Sequence, residues 1–211
     1  MNNTEQSANE FRSALVAKAH IYEVALTPKI REGLVDYFCL LFQWNPRLHL
    51  VAPCSPTEFA TRHVLESLLL LPHLPSSATV ADIGSGAGLP MVPCLIARPD
   101  IRATLFESAK RKAVFLREAL KVAAVVDYAT VVAKRFEDVQ SPPVHFITCR
   151  ALEKFETTLP RLLEWVPKQS SLLLFGSHNL RRKIDEYKLH YTVFKIPQSI
   201  NRFIFVVSPG R

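Results

Sequence analysis

The sequence predicts an α/β fold: a seven-stranded, mostly parallel sheet with an antiparallel C-terminal hairpin and an N-terminal helical extension. Three observations carry that expectation. From about residue 76 onward, short β-rich runs alternate with helical segments, the pattern of parallel strands joined by right-handed crossovers. Ahead of that point, apolar residues recur at helical spacing. Finally, Gly84, Gly86 and Gly88 place three of the chain's 6 glycines where the first strand turns into a helix. The expected division is 1–75 as a helical extension packed on the core and 76–211 as the sheet domain.

The elements follow in order. A first helix is expected over roughly Asn9 to Leu26. Thr27-Pro28 reads as N-cap then first helical residue, and Ile30, Leu34, Tyr37, Phe38 and Leu41 line one face of the helix that follows. Ser55-Pro56-Thr57-Glu58 is a capping box with proline at the first position, opening a helix to about Leu71. Strands are expected at 79–83, 103–107, 127–133, 144–149 and 171–176, with helices near 88–97, 109–122, 151–165 and 178–187. The runs 191–196 and 202–207 lie close together and form the antiparallel pair.

Composition narrows the class. Of 211 residues 48% are hydrophobic and 21% charged, which supports a core and excludes wholesale disorder. Lys+Arg 26 against Asp+Glu 19 leaves +7, a balance that fits a polyanionic partner without establishing one. Cys39, Cys54, Cys94 and Cys149 have neither zinc-ligand nor thioredoxin spacing, so no metal is expected. The polar start MNNTEQSANE does not resemble a signal peptide, and no run approaches the ~18 apolar residues of a membrane helix. A cytoplasmic, reduced monomer is the expectation.

The sharpest local signal is Asp82-Ile83-Gly84-Ser85-Gly86-Ala87-Gly88-Leu89-Pro90. The dinucleotide fingerprint is G-x-G-x-x-G, but here the third glycine comes one residue early and Leu89 holds its place. An acidic residue before G-x-G-x-G is the form used for S-adenosylmethionine (SAM). Glu107 ends the second strand, where a carboxylate can accept both ribose hydroxyls. Nicotinamide sites use an acidic residue the same way, so Glu107 alone does not discriminate.

With these residues the chain resembles the RsmG family, also called glucose-inhibited division protein B, from about Leu34 to Val207. Gln43-Trp44-Asn45, Arg62-His63, Glu66-Ser67, Asp82 to Pro90, Glu107-Ser108, Lys110-Arg111-Lys112, Phe115-Leu116-Arg117, Arg135-Phe136-Glu137 and Cys149-Arg150-Ala151 occur in the family's order. The resemblance implies a SAM-dependent methyltransferase (Rossmann-like) fold. It also implies methyl transfer to N7 of a guanine in 16S ribosomal RNA, presented as RNA or within the 30S subunit. Two other readings stay open: a methyltransferase for another RNA or a small molecule, and a SAM- or RNA-binding protein without catalysis.

The cofactor set that follows is Asp82, Gly84, Ser85, Gly86, Gly88, Leu89, Glu107, Ser108, Phe136, Glu137 and Arg150. RNA contacts are expected from His49, Arg62, His63 and Arg135. Arg150 is the residue singled out for catalysis through orientation, its fork aimed at the SAM carboxylate or an RNA phosphate and contributing little to stability. Trp44 and Phe42 are expected in the core, and about half of the basic start of the 109–122 helix on a solvated face. The chain departs from the family at His49-Leu50-Val51, Met91, His145 and Phe175, departures expected to cluster on the substrate side.

Overall fold

The computed structural model describes residues 3–150 and 155–208. Its sheet has seven strands in the order β3-β2-β1-β4-β5-β7-β6. They are β1 (Thr79–Ile83), β2 (Arg102–Phe106), β3 (Ala129–Val132), β4 (Phe146–Cys149), β5 (Ser171–Gly176), β6 (Tyr191–Lys195) and β7 (Phe203–Val207). The first five pair in parallel, and β7 runs antiparallel to both β5 and β6. The last pair is not simply appended: β7 lies between β5 and β6. FIFVV is mostly buried whereas YTVFK has no fully buried residue, so the more apolar strand takes the interior position and the more polar one the edge.

Helices cover both faces. α1 (Asn3–Lys18), α2 (Pro28–Leu48), α3 (Pro56–Glu58) and α4 (Glu66–Leu68) form the N-terminal extension, with a π-helical stretch Phe59–Leu65 joining the last two. α5 (Met91–Ala97), α6 (Lys110–Val122), α7 (Phe155–Trp165) and α8 (His178–Glu186) follow the strands. The expected helix near 151–165 begins outside the described residues, where Ala151 also lies. Alternation along β1 sends Val80 into one core and Ala81 and Ile83 into the other. The first core joins α5 and α6 to the N-terminal helices, and the second is closed by α7 and α8.

Local chemistry explains the helix starts. Thr27 Oγ1 accepts the Ile30 N–H and Ser55 Oγ accepts the Glu58 N–H, each with proline in the first turn. The returning half of the expected capping box is absent: the Glu58 carboxylate pairs with Arg62 one turn on. Phe11 stacks on Phe38 at 4.3 Å, and both contact Phe59, fastening α1 and α2 to the π-helical stretch.

The strand order reverses between β2-β1 and β4, and in open α/β sheets ligands bind beyond the carboxyl ends of the strands at such a point. One bond from the extension reaches it. The buried Tyr37 hydroxyl of α2 donates to the Ala87 carbonyl at 2.7 Å. Tyr37→Phe leaves that carbonyl without its partner and should lower unfolding free energy by about 1–3 kcal/mol in urea titration. An unchanged midpoint would mean that water replaces the hydroxyl.

Candidate ligand-binding cleft

The cleft begins with the glycine loop after β1. Gly84, Gly86 and Gly88 all adopt positive φ, at 69°, 52° and 87°. A Cβ at Gly84 would meet nothing within 4 Å, and one at Gly86 only the Gly84 carbonyl at 3.7 Å. Both face open space that a ligand can enter. Gly88 differs: its Cβ would sit 2.5 Å from Val92 Cγ2, so this glycine serves the packing of loop on helix. The loop is held from several sides. Ser85 N–H donates to the Phe106 carbonyl, and one Glu107 oxygen accepts the Gly86 N–H at 2.9 Å. The other accepts the Ala109 N–H at 2.7 Å. Each carboxylate oxygen keeps a lone-pair site for a further donor.

These residues open on a cavity of 750 Å³. Of the expected cofactor set, Gly84, Ser85, Gly86, Leu89, Glu107 and Arg150 line it, as do His49 and His63 of the expected RNA set. Val51, Lys112 and Thr158 also contribute. The others sit elsewhere. Asp82 is fully buried beneath the loop, Ser108 is exposed, and Arg135 is exposed past the end of β3. Phe136 turns its ring onto Trp165 at 5.4 Å, and Glu137 faces Arg161 at 3.6 Å. Arg62 is exposed and paired with Glu58.

Arg150 corrects an expectation. Its guanidinium is taken up by the protein, donating to the His63 carbonyl at 3.0 Å, to Ser67 Oγ at 2.9 Å and to the Arg62 carbonyl. It also pairs with Glu66 at 3.2 Å and lies 5.0 Å above the Phe175 ring. Glu66, only 1% exposed, shares its other oxygen with Arg202. Arg150 thus ties β4 to the π-helical stretch instead of offering a free fork. Phe175, one of the departures from the family pattern, serves as its apolar seat.

The other departures are scattered rather than gathered at the cleft. His145 sits at the opposite, N-terminal end of the sheet, where Nδ1 accepts the Thr79 N–H at 3.1 Å. Met91 is wholly buried at the start of α5. Only the His49-Leu50-Val51 segment lines the cavity.

Burial sets the charge states here. His63 is pushed down to about 3 by burial and by the nearby charges of Arg150, Arg62 and Arg202, so at neutral pH it is a neutral imidazole. Burial lifts the Asp82 carboxyl to about 7, assisted by Glu107. Neither Asp82 oxygen has a hydrogen-bond partner among the described residues, nor has the hydroxyl of Thr148, its register neighbour on β4. Glu66, Ser67, Arg202 and Tyr37 were not expected at this site. Glu66-Ser67 carried a family motif, but nothing local marked Arg202.

Two expected outcomes follow. Arg150→Ala strands a buried carboxylate, and should lower stability without any ligand, toward the low end of ~3–5 kcal/mol because Arg202 remains. An unaltered denaturation midpoint would return Arg150 to a free cleft residue. For Asp82, the folded pKa exceeds the usual 3.8, so the folded state binds the extra proton and stability falls as pH rises from about 4 through 7. Asp82→Asn lacks that loss, so its melting temperature relative to wild type should climb between pH 5 and pH 8. A constant difference would show an ordinary aspartate.

Comparison with known proteins adds the following. A family model described as GidB, rRNA small subunit methyltransferase G, matches residues 30–205. A protein named ribosomal RNA small subunit methyltransferase G from Xanthomonas campestris pv. campestris (strain B100) is 43% identical over 121 residues, 57% of this chain and 56% of its own length. One of the same name from Gluconobacter oxydans (strain 621H) is 41% identical over 134 residues, 64% of this chain and 66% of its own. The matched stretch thus spans little more than half of the Xanthomonas relative. Among solved structures, mitomycin 7-O-methyltransferase MmcR superposes at TM-score 0.60 and 14% identity, covering 98% of this chain and 69% of its own. A SAM dependent methyltransferase from Aquifex aeolicus gives 0.56 and 13%, covering 68% and 89%. At such identities these two establish the fold alone, a Rossmann-like methyltransferase fold.

Proposed function

The chain belongs to the GidB family, rRNA small subunit methyltransferase G, and from that premise we propose that it transfers a methyl group from SAM to N7 of a guanine in 16S ribosomal RNA. The observation that carries the reading is the cleft itself. An open glycine loop and the Glu107 carboxylate face one cavity at the sheet's topological switch point. When bound there, SAM supplies an electrophilic sulfonium methyl.

The protein's part is binding and alignment. Gly84 and Gly86 admit the cofactor to the backbone, and Glu107 takes the ribose hydroxyls through its remaining lone pairs. Ser85 and Leu89 line the same wall. Ser108, Phe136 and Glu137 stand at the neighbouring strand ends, outside the cavity. Asp82 and Gly88 support the loop from beneath.

Guanine N7 carries an in-plane lone pair and no proton, so its attack calls for no general base. A neutral His63 suits such a cleft: it can exchange a hydrogen bond with a base without drawing a proton. His49, Val51 and Lys112 complete the substrate wall, with Arg62 and Arg135 outside it. Arg150 acts through the His63 segment that it holds. Fixing donor and acceptor in line is worth up to ~7–11 kcal/mol in favourable intramolecular models.

Gly86→Val should abolish SAM binding in calorimetry, because a β-branched side chain both strains the backbone at φ 52° and enters the ligand's space, and a thermal melt checks that the fold survives. Glu107→Gln should weaken binding by about 1–3 kcal/mol. Full affinity in the valine variant would place the cofactor elsewhere. Labelled methyl transfer to 16S rRNA or to 30S subunits tests the reaction. SAM binding with no transfer to either would leave a binding protein rather than this methyltransferase.

A further inference from the structure

Beside the cleft lies a second groove of 550 Å³, between the C-terminal half of α2 and the first turns of α6. It is lined by Gln43, Trp44, Arg47, Leu48, Arg111 and Val114. It continues the cleft: Leu48 and Arg111 line the groove, while the next residues, His49 and Lys112, line the cleft. We propose that this groove seats a nucleotide of single-stranded RNA next to the one being methylated, an inference that rests on the RNA methyltransferase reading.

Three observations support it. Arg47 and Arg111 are exposed, and among the described residues neither has a carboxylate partner. The other three arginines of the N-terminal helices do: Arg12 and Arg31 meet Glu32, and Arg62 meets Glu58. Unpaired guanidinium groups on a groove wall are suited to phosphate. Next, Trp44 is only partly buried, packing on Phe115 at 5.8 Å while also lining the groove. Expected in the core, Trp44 packs against it while staying partly exposed. Finally, Val114 lies 47% exposed in the same groove.

An indole and an apolar side chain between two cations match the alternation of base and phosphate along a single strand. A duplex keeps its base faces stacked and does not offer them. The volume lies within the ~300–1,000 Å³ typical of sites for groups of this size.

The probe is a fluorescein-labelled 12-nucleotide single-stranded RNA of mixed sequence, read by anisotropy with the full chain. Arg47→Glu with Arg111→Glu should weaken binding at least tenfold at low salt. The log–log salt slope should shrink by about 1.4, two contacts at ~0.7 each. SAM affinity should stay within about twofold. In a Trp165→Phe background the only remaining indole is Trp44, and the RNA should quench its emission. Wild-type affinity and slope in the double variant, or emission unmoved by bound RNA, overturns the groove. Failure of the wild type to bind the RNA at all overturns the groove, whereas the methyltransferase reading falls only if no methyl is transferred to 16S rRNA or to 30S subunits. Normal methyl transfer by wild type, with an unchanged RNA KM in the double variant, removes the groove alone. SAM and RNA binding through these residues without methyl transfer removes the enzyme reading and leaves the groove standing.

Discussion

One buried carboxylate ties the N-terminal helices to two strand ends of the sheet. Glu66, from the N-terminal helices, meets Arg150 at the end of β4 and Arg202 just before β7. Because β7 runs antiparallel to the others, its start lies at the same edge as the end of β4. A single side chain therefore spans the cleft-forming edge of the sheet. Each member needs the others: burial penalises the Glu66 carboxylate, and the arginines around it oppose that penalty. The π-helical stretch brings the Arg62 and His63 carbonyls to the Arg150 guanidinium. Such departures from α-helical winding often accompany functional sites.

The glycine loop depends on the same logic of support from distant elements. Its backbone is held by Tyr37 from the extension, by Phe106 from β2 and by Glu107 from the following junction. Only Glu107 of the three also lines the cavity; Tyr37 and Phe106 act from outside it. They fix N–H and C=O groups so that the open space over Gly84 and Gly86 stays open. A site arranged before its ligand arrives loses less entropy on binding.

Part of the positive charge behind the +7 balance is neutralised within the fold. Arg150 and Arg202 are spent internally on Glu66, and Arg98 on Asp100. Arg47 and Arg111 stand unpaired among the described residues, along the groove that runs into the cleft. His63, surrounded by arginines, is held neutral and adds nothing to the field. Net charge alone thus says little about where a polyanion would lie, whereas the separation of paired from unpaired cations says a good deal.

Much of this was legible in the chain because it is local. The strands 79–83 and 171–176 and the caps at Thr27 and Ser55 stand where hydrophobic pattern and capping chemistry put them. The positive φ of Gly84, Gly86 and Gly88 fits residues without a Cβ. The parallel sheet followed from alternation, and the family from motifs in order. What only the tertiary structure decided involves partners far apart in sequence. No spacing rule joins Glu66 to Arg150 and Arg202, or sends His145 to the far end of the sheet. Nor does any rule insert β7 between β5 and β6, or separate Gly88 from its neighbours. Local signals act through a turn or two of backbone. The fate of a buried charge is set by whichever opposite charge the fold brings within reach.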